Sequence, residues 1–205
     1  MEDEIFTIKD FCESKLKEMG SQFIAQAYPI DSEEDFDSII SKIKKEFYDA
    51  THYCFAYRMN NGNFKYSDAG EPNGTAGIRI LNAIDHFRLT NILVIVIRYF
   101  GGKKLGVGLL GKTYYNSAEM VLNSAVKIKK TAFQKISVEA EFIFTSILHK
   151  AFSDFEVKVL NTVYAENLKF DCLVKPKYLK DFSKYLTDKT KGAVKIKKDE
   201  KIIYG

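Results

Sequence analysis

The 205-residue chain has no apolar run long enough to cross a membrane. Its longest purely aliphatic stretch is ILVIVI, residues 92–97, whereas a transmembrane helix needs about 20 apolar residues. The first residues, MEDEIFTIKDF, are acidic and mixed, whereas a secretory leader starts basic and then turns apolar. We therefore expect a soluble, cytoplasmic protein with no membrane partner.

Cysteine is scarce and scattered. The three cysteines, Cys12, Cys54 and Cys172, lie too far apart in sequence to indicate a disulfide framework or a four-ligand zinc site. We interpret them as small buried hydrophobes. On a strand His52 and Cys54 would share one face, but two ligands do not make a metal site. We predict no metal and no cofactor.

Acidic residues are missing from one long segment, because none occurs between His86 and Ala118. Residues 1–50 contain 6 Lys and Arg against 13 Asp and Glu, and residues 51–131 contain 11 against 4. Residues 132–205 contain 14 against 10. The cationic middle third favours an anionic partner, although a solvated surface balanced by the acidic first third has the same composition.

The first 130 residues predict one α+β domain, and the whole chain, with 46% hydrophobic residues, has ample apolar residues for real cores. SQFIAQAYPI is typical of a strand, and DSEEDFDSIISKIKKEF of a helix with Phe36, Ile39, Ile40, Ile43 and Phe47 on one face. HYCFAYRM and NFKYS form a hairpin around Asn61-Gly62, and a short helix with Ile80, Leu81 and Ile84 inward follows. NILVIVIRYF predicts a strand covered on both faces, and a helix runs from Gly108 to near Lys127.

The remaining residues predict a second domain. KISVEAEFIF, VKVLNTVY, NLKFDCLV and AVKIKK alternate as strands, while TSILHKAFSDF and the segment from Pro176 are helical. This order, βαββαβ, is the ferredoxin-like plan. We place the boundary near Thr131, between a domain of residues 1–131 and one of residues 132–205.

SDAGEPNGTAG, residues 67–77, is the first stretch that could carry chemistry. Its glycines permit close approach of a partner, and amides at the start of the following helix attract an anion. Asp68 and Glu71 could act as an acid and base pair or hold a metal. Alternatively, the stretch is a tight structural loop whose carboxylates cap backbone amides.

RYFGGKKLGVGLLGK, residues 98–112, is the second such stretch and contains five of the 12 glycines. Basic groups beside Tyr99 and Phe100 suit phosphates and stacked bases, unless the rings only complete strand packing. Within it, GVGLLGKT fits two nucleotide-binding patterns. We predict no nucleotide there, because GGKKL separates the motif from the strand and no acidic residue lies about twenty positions beyond Gly111.

The segments FIAQAYPIDSEEDF, DATHYCFAYR, DAGEPNGTAG and RYFGGKKLGVGLL, in this order and spacing, resemble the YigZ/Impact family from about Ser21 to Leu122. The resemblance implies an N-terminal domain with the left-handed βαβ crossover of elongation factor G domain IV, and a C-terminal domain similar to its domain V. Eukaryotic members regulate translation by binding an activator of the starvation-responsive initiation-factor kinase. Ala69 stands where the family commonly has a second Asp, and Ile97 where it commonly has Thr.

The family signature, carried over by position, and the neighbouring lysines give the predicted binding residues. They are His52, Asp68, Gly70, Glu71, Pro72, Gly74, Thr75, Gly77, Arg98, Tyr99, Phe100, Gly101, Gly102, Lys103, Lys104, Gly106, Gly108 and Lys112, and the signature also includes Leu105 and Tyr114.

Two functions compete. The first is a monomeric binding protein of the translation apparatus, contacting RNA, the ribosome or a ribosome-associated factor through this glycine-rich basic surface. The second is a hydrolase-type enzyme with Glu71 or Asp68 as acid or base, His52 as a second proton carrier and Arg98 as an anion clamp. We favour binding, because the sequence has no convincing nucleophile and base pair and no metal quartet.

Overall fold

The structure is a computed structural model that describes residues 3–205, apart from the side chains of residues 200 and 201. The chain forms two compact units: residues 6–129, the N-terminal unit, and residues 3–5 with 130–205, the C-terminal unit. Whether residues 132–205 fold independently stays a prediction.

The N-terminal unit is built on a five-stranded sheet in the order β2-β3-β6-β4-β5. Its strands are β2 (Cys12–Glu18), β3 (Ser21–Pro29), β4 (His52–Arg58), β5 (Phe64–Ser67) and β6 (Ile92–Tyr99). Its helices are α1 (Glu33–Glu46), α2 (Gly77–His86) and α3 (Val107–Ser124). The central strand β6 is buried on both faces, as its continuous apolar run predicts.

The two faces of this sheet are covered by different helices. Leu93, Ile95 and Ile97 of β6 pack with buried residues of α1, whereas Val94 and Val96 pack with those of α2 and α3. Helix α1 starts where the acidic sequence predicts, because Ser32 forms a capping box with Asp35.

The topology contains the predicted left-handed crossover. Strands β3 and β4 are both antiparallel to β6, which lies between them, so α1 connects two parallel strands. Helix α2 likewise connects β5 to β6, which are parallel on either side of β4. Rotating the sheet by 180° about its normal would superpose strands β3 and β4 on strands β5 and β6. The same rotation keeps each helix on its own face, and α1 and α2 cover opposite faces. The two crossovers therefore have opposite hands, so one of them is left-handed.

The C-terminal unit has the ferredoxin-like arrangement that the sequence predicts. Its strands are β7 (Lys127–Ala140), β8 (Lys158–Tyr164), β9 (Leu168–Val174) and β10 (Lys195–Tyr204), and its helices are α4 (Thr145–Asp154) and α5 (Pro176–Thr190). Neighbouring strands pair antiparallel in the order β10-β7-β9-β8, and both helices share one core. The short strand β1 (Glu4–Ile8) also joins β7.

Three details differ from the predictions. Helix α3 ends at Ser124 because the backbone of Ala125 is extended, with φ of −70° and ψ of 138°, and Lys127 already starts β7. The Lys127 ammonium donates to the Leu122 carbonyl oxygen, 2.6 Å away, at the helix end. The predicted strand KISVEAEFIF stops at Ala140, and Phe142–Phe144 forms a 3₁₀ turn. Strands β1 and β2 were not predicted, because β2 is an edge strand with mostly polar residues.

Candidate functional site

The predicted site residues gather around Arg98, near the end of the central strand β6. Sheet register places Arg98 directly between Phe23 of β3 and His52 of β4. All three lie on the face covered by α2 and α3, because they share the alternation of Val94 and Val96. The site is thus built on rigid strands and closed by the loop that precedes α2.

Glu71 is the centre of a buried polar network. Its Oε1 accepts a hydrogen bond from Arg98 Nη1 at 2.5 Å and another from the Tyr114 hydroxyl at 2.7 Å. The side chains of Glu71 and Arg98 are only 4% and 5% exposed. A buried carboxylate and a buried guanidinium each need such a partner, so the pair ties the loop 68–76 to β6 and α3.

Arg98 is also held by groups from β3 and the loop after β6. Its Nη2 donates to Ser21 Oγ at 3.3 Å, and its guanidinium carbon lies 5.2 Å and 5.4 Å from the ring centroids of Phe23 and Phe100. The Arg98 Nε is buried and has no hydrogen-bond partner among the described residues. Two aromatic rings and two hydrogen-bonded nitrogens fix the cation in place.

His52 lies beside the second oxygen of Glu71. Its Nδ1 is 2.9 Å from the Ala69 carbonyl oxygen, which leaves Nε2 directed at Glu71 Oε2 across 3.8 Å. The 3.8 Å separation is too long for a direct hydrogen bond. The structure thus brings together Glu71, His52 and Arg98, which the sequence could not place side by side.

Cys54 and Tyr114 complete the network as neutral groups. The Cys54 thiol lies 3.3 Å from the Tyr114 hydroxyl and 3.0 Å from the Asp68 carbonyl oxygen. Burial, above all, raises the pKa of the Cys54 thiol to about 12 and also raises the pKa of Tyr114. At neutral pH the thiol therefore stays protonated, which argues against Cys54 as a nucleophile.

Asp68 is engaged by the backbone of its own loop. Its Oδ1 accepts from the amides of Ala76 and Gly77, and its Oδ2 accepts from the amide of Gly74, all within 2.9 Å. Asp68 therefore caps the start of α2, the structural role that the sequence left open. Gly77 must stay small, because a Cβ there would lie 2.7 Å from the backbone of Ser67.

The backbone conformation at Ala69 explains why the family commonly has Asp at this position. Its φ is 44°, in the left-handed region where Asp and Asn are better tolerated than other residues with a side chain. The Asp that the family commonly has there suits this backbone without any part in catalysis. Ile97 points to the α1 face, so the Thr it replaces would also lie on the far side of the sheet from Arg98.

The predicted aromatic pair is split between the two faces of the sheet. The Tyr99 hydroxyl donates to Asp49 Oδ1 at 3.0 Å, and its ring packs with the α1 core. Phe100 is 45% exposed and lies against Arg98. The next residue, Gly101, contacts the turn between β2 and β3 so closely that a Cβ would lie 2.0 Å from the backbone of Gly20. No local pattern in the sequence predicts this contact.

The basic part of the second stretch faces outward. Lys103, Lys104 and Lys112 are exposed, and no described residue forms an ion pair with any of them. Residues 107–113 of GVGLLGKT lie in α3, with Gly106 as its N-cap. A phosphate loop needs a glycine-rich loop that wraps the phosphates ahead of the helix, so the helical geometry of residues 107–113 argues against binding of ATP or a dinucleotide there.

The other predicted residues shape the loops. Positive φ angles occur at Gly70, Gly74, Gly102 and Gly106. The Thr75 hydroxyl donates a hydrogen bond to the Pro72 carbonyl oxygen at 2.6 Å. Leu105 packs against the core, and Gly108 is exposed. Sequence reasoning passed over Ser21 and Phe23, which only the register of β3 brings to Arg98, and Arg79, which lies on α2.

The described residues contain no group of three or more His, Cys, Asp and Glu side chains that could hold a metal ion. Cys54 and Cys172 are buried and Cys12 is half-buried. Among the described helices, none is both long and apolar enough to cross a membrane.

A family model described as the Impact N-terminal domain matches residues 19–122, more than half of the chain. The chain belongs to the Impact family. The match covers β3 and the site around Arg98, and it confirms the resemblance found between Ser21 and Leu122.

Curated relatives of this Impact-family chain span bacteria and eukaryotes. The IMPACT family member YvyE of Bacillus subtilis is 31% identical over 95% of this chain and 91% of its own length. The IMPACT family member YigZ of Escherichia coli is 25% identical over 86% of this chain and 88% of its own. Human Protein IMPACT is 27% identical over 56% of this chain and 41% of its own.

A solved structure, a crystal structure of a hypothetical protein, shares the fold. It superposes with a TM-score of 0.72 at 22% identity, covering 98% of this chain and all of the solved one. The two-domain α+β architecture predicted from sequence is therefore confirmed.

Proposed function

We propose that this chain is a binding protein of the translation apparatus, which contacts RNA, the ribosome or a ribosome-associated factor. The contact surface is the basic segment, residues 100–112 with the exposed lysines Lys103, Lys104 and Lys112. The link to translation rests on membership of the family that includes the eukaryotic IMPACT proteins.

One observation carries the preference for binding. The charged groups that an enzyme would use are neutralised inside the protein, because Glu71 pairs with Arg98 and Asp68 caps α2. The lysines of the basic segment point instead to solvent, in a stretch without acidic residues. Such a surface attracts a polyanion over a range of several ångströms.

An enzyme of the hydrolase type is the second candidate, and the approach of His52 Nε2 to Glu71 Oε2 is what favours it. In that function the two groups would exchange a proton with a substrate and Arg98 would bind its anion. The geometry argues against this function, because Arg98 already donates hydrogen bonds to Glu71 and Ser21, and both of these contacts are buried.

Co-sedimentation with ribosomes from the protein's own cells tests the proposal. Wild-type protein should pellet with ribosomes at low salt and leave them as salt rises. Lys103→Gln with Lys104→Gln should weaken pelleting. The matched control is Lys44→Gln with Lys45→Gln, an adjacent exposed pair on α1, which covers the opposite face of the sheet. A wild-type protein that stays in the supernatant, or equal loss in both double variants, would contradict the proposal.

A further inference from the structure

The N-terminal unit contains a groove between α2 and α3 that the site around Arg98 does not include. It encloses about 420 Å³ and is lined by Arg79 and Asn82 of α2 and by Val107, Gly108, Gly111, Lys112 and Tyr115 of α3. That volume lies within the usual range of pockets for small molecules, so it suits one nucleotide unit and not a duplex.

Two helix faces form this groove by simple periodicity. Arg79 and Asn82 lie three residues apart on α2, and Gly108, Lys112 and Tyr115 recur at spacings of four and three residues on α3. Glycines on one wall keep the groove open, since a Cβ at Gly108 would meet nothing within 4 Å. A side chain at position 108 would therefore fill the groove without disturbing the core.

The groove carries positive charge on both walls. Arg79 and Lys112 are exposed, and no described residue forms an ion pair with either. Arg79 Nε donates to the Gly74 carbonyl oxygen at 3.3 Å, which fixes the base of the guanidinium beside the groove. The Arg79 side chain lies against α3, since a Cβ at Gly111 would be 3.3 Å from its Nε, and a guanidinium beside the Lys112 ammonium suits a phosphate oxygen.

Tyr115 gives the groove an aromatic side chain, which is hydrogen-bonded to α2. The Tyr115 hydroxyl lies 2.6 Å from His86 Nδ1, which joins α3 to α2, and their rings are inclined by only 17°. His86 also lies 3.9 Å from the carboxylate of Glu119. The acidic group disfavours a second phosphate near His86, whereas the ring of Tyr115 offers a surface for a base.

We propose that the groove between α2 and α3 binds one nucleotide of single-stranded RNA, with its phosphate between Arg79 and Lys112 and its base against Tyr115. The rest of the strand leaves towards Lys103 and Lys104, which precede α3 in the chain. This inference rests on the proposed function and deepens it, because it selects RNA as the partner. Phosphate contacts combined with one stacked base are the usual elements of single-strand recognition.

Fluorescence anisotropy with a labelled short oligouridylate tests the phosphate contacts in the full chain. Arg79→Gln and Lys112→Gln should each make the slope of log K against log salt shallower by about 0.7. Lys44→Gln on α1 removes the same charge from the opposite face of the sheet and should leave the slope unchanged. Equal slopes in wild type and in the groove variants would overturn the proposal.

Two further pairs of variants test the shape and the ring. Gly108→Leu should lower affinity at least tenfold by filling the groove, whereas Gly108→Ala should keep most of it. Tyr115→Leu should lower affinity by about tenfold with an unchanged salt slope, whereas Tyr115→Phe should bind like wild type. Circular dichroism on every variant separates loss of binding from loss of fold. Tight binding by Gly108→Leu with a native spectrum would also refute the groove.

The outcome is distinguishable from that of the ribosome experiment. Suppose that wild-type protein pellets with ribosomes but does not bind the oligouridylate, or binds a duplex of the same length equally well. Either result overturns the groove proposal and leaves the proposed function standing. If wild-type protein neither pellets with ribosomes nor binds the oligouridylate, the groove proposal and the proposed function are both overturned.

Discussion

Replacing Glu71 by Gln removes one charge from the most buried ion pair of the N-terminal unit. The amide oxygen of Gln can still accept from Arg98 Nη1 and from the Tyr114 hydroxyl, so the number of hydrogen bonds is kept. Arg98, however, loses its counter-charge at a side-chain exposure of 5%. Breaking a buried pair by removing one partner costs about 3–5 kcal/mol, and because this variant keeps the hydrogen bonds we expect a cost of about 3 kcal/mol.

The chain offers a matched exposed pair as the control. Arg58 Nε and Nη2 donate to the two oxygens of Asp85 at 2.5 Å and 2.9 Å, but the side chains are 26% and 43% exposed. Solvent screens this pair, so Asp85→Asn should cost at most about 1 kcal/mol. The two variants make the same chemical change and differ chiefly in burial.

Amide hydrogen exchange of β6 measures the effect, because this central strand reports on the N-terminal unit alone. A loss of about 3 kcal/mol should speed exchange of its slowest amides by about a hundredfold in Glu71→Gln. Asp85→Asn should speed it by less than about tenfold. Equal changes in the two variants, or no change in Glu71→Gln, would refute the conclusion that the Glu71–Arg98 pair holds the loop to the sheet.

Four other outcomes follow from the structure. Because folding favours the neutral Cys54 thiol, whose pKa rises from 9.0 to about 12, the free energy of unfolding should fall as pH rises from about 9 towards 12, by up to about 1.4 kcal/mol per pH unit for this group. Urea titrations should show a shallower fall in Cys54→Ala, and an unchanged slope would count against the buried thiol. Ala69→Asn should stabilise the protein by about 0.5 kcal/mol, because Asn adopts a positive φ at a lower conformational cost than Ala. A destabilised variant would argue against backbone strain at this position. Magnesium ATP at millimolar concentration should leave the thermal midpoint unchanged in wild type and in Lys112→Ala, whereas a shift seen only in wild type would restore the phosphate loop. Residues 132–205 alone should unfold cooperatively on heating, and a featureless melt would reject a boundary near Thr131.

Most of the fold could be predicted from local patterns. The apolar run of β6, the alternation in β7 and β9 and the acidic start of α1 each determine an element through its own residues. Polar edge strands escape this reasoning, because β2 gains its place by pairing with β3 and not by burying its own side chains. Its half-buried alternation was a weak signal beside the charged composition.

The site was predicted in composition but not in geometry. Residues such as Glu71, Arg98 and His52 could be named from motifs, yet their contacts depend on the register of β4 against β6, which no local pattern specifies. The role of Asp68 was one of several alternatives until its three amide partners were seen. The groove beside Arg79 required two helices to be placed together, although each face shows helical spacing in the sequence.

The contact between Gly20 and Gly101 limits how this chain can change over evolutionary time. A side chain at position 101 would collide with the backbone of Gly20, and a Cβ at position 20 would lie only 3.2 Å from the Gly101 carbonyl oxygen in a conformation with φ of 83°. A substitution at one position cannot be rescued by a smaller residue at the other, because both are already glycine. Both positions are therefore expected to remain glycine, and insertions in either loop should be found only beyond this contact.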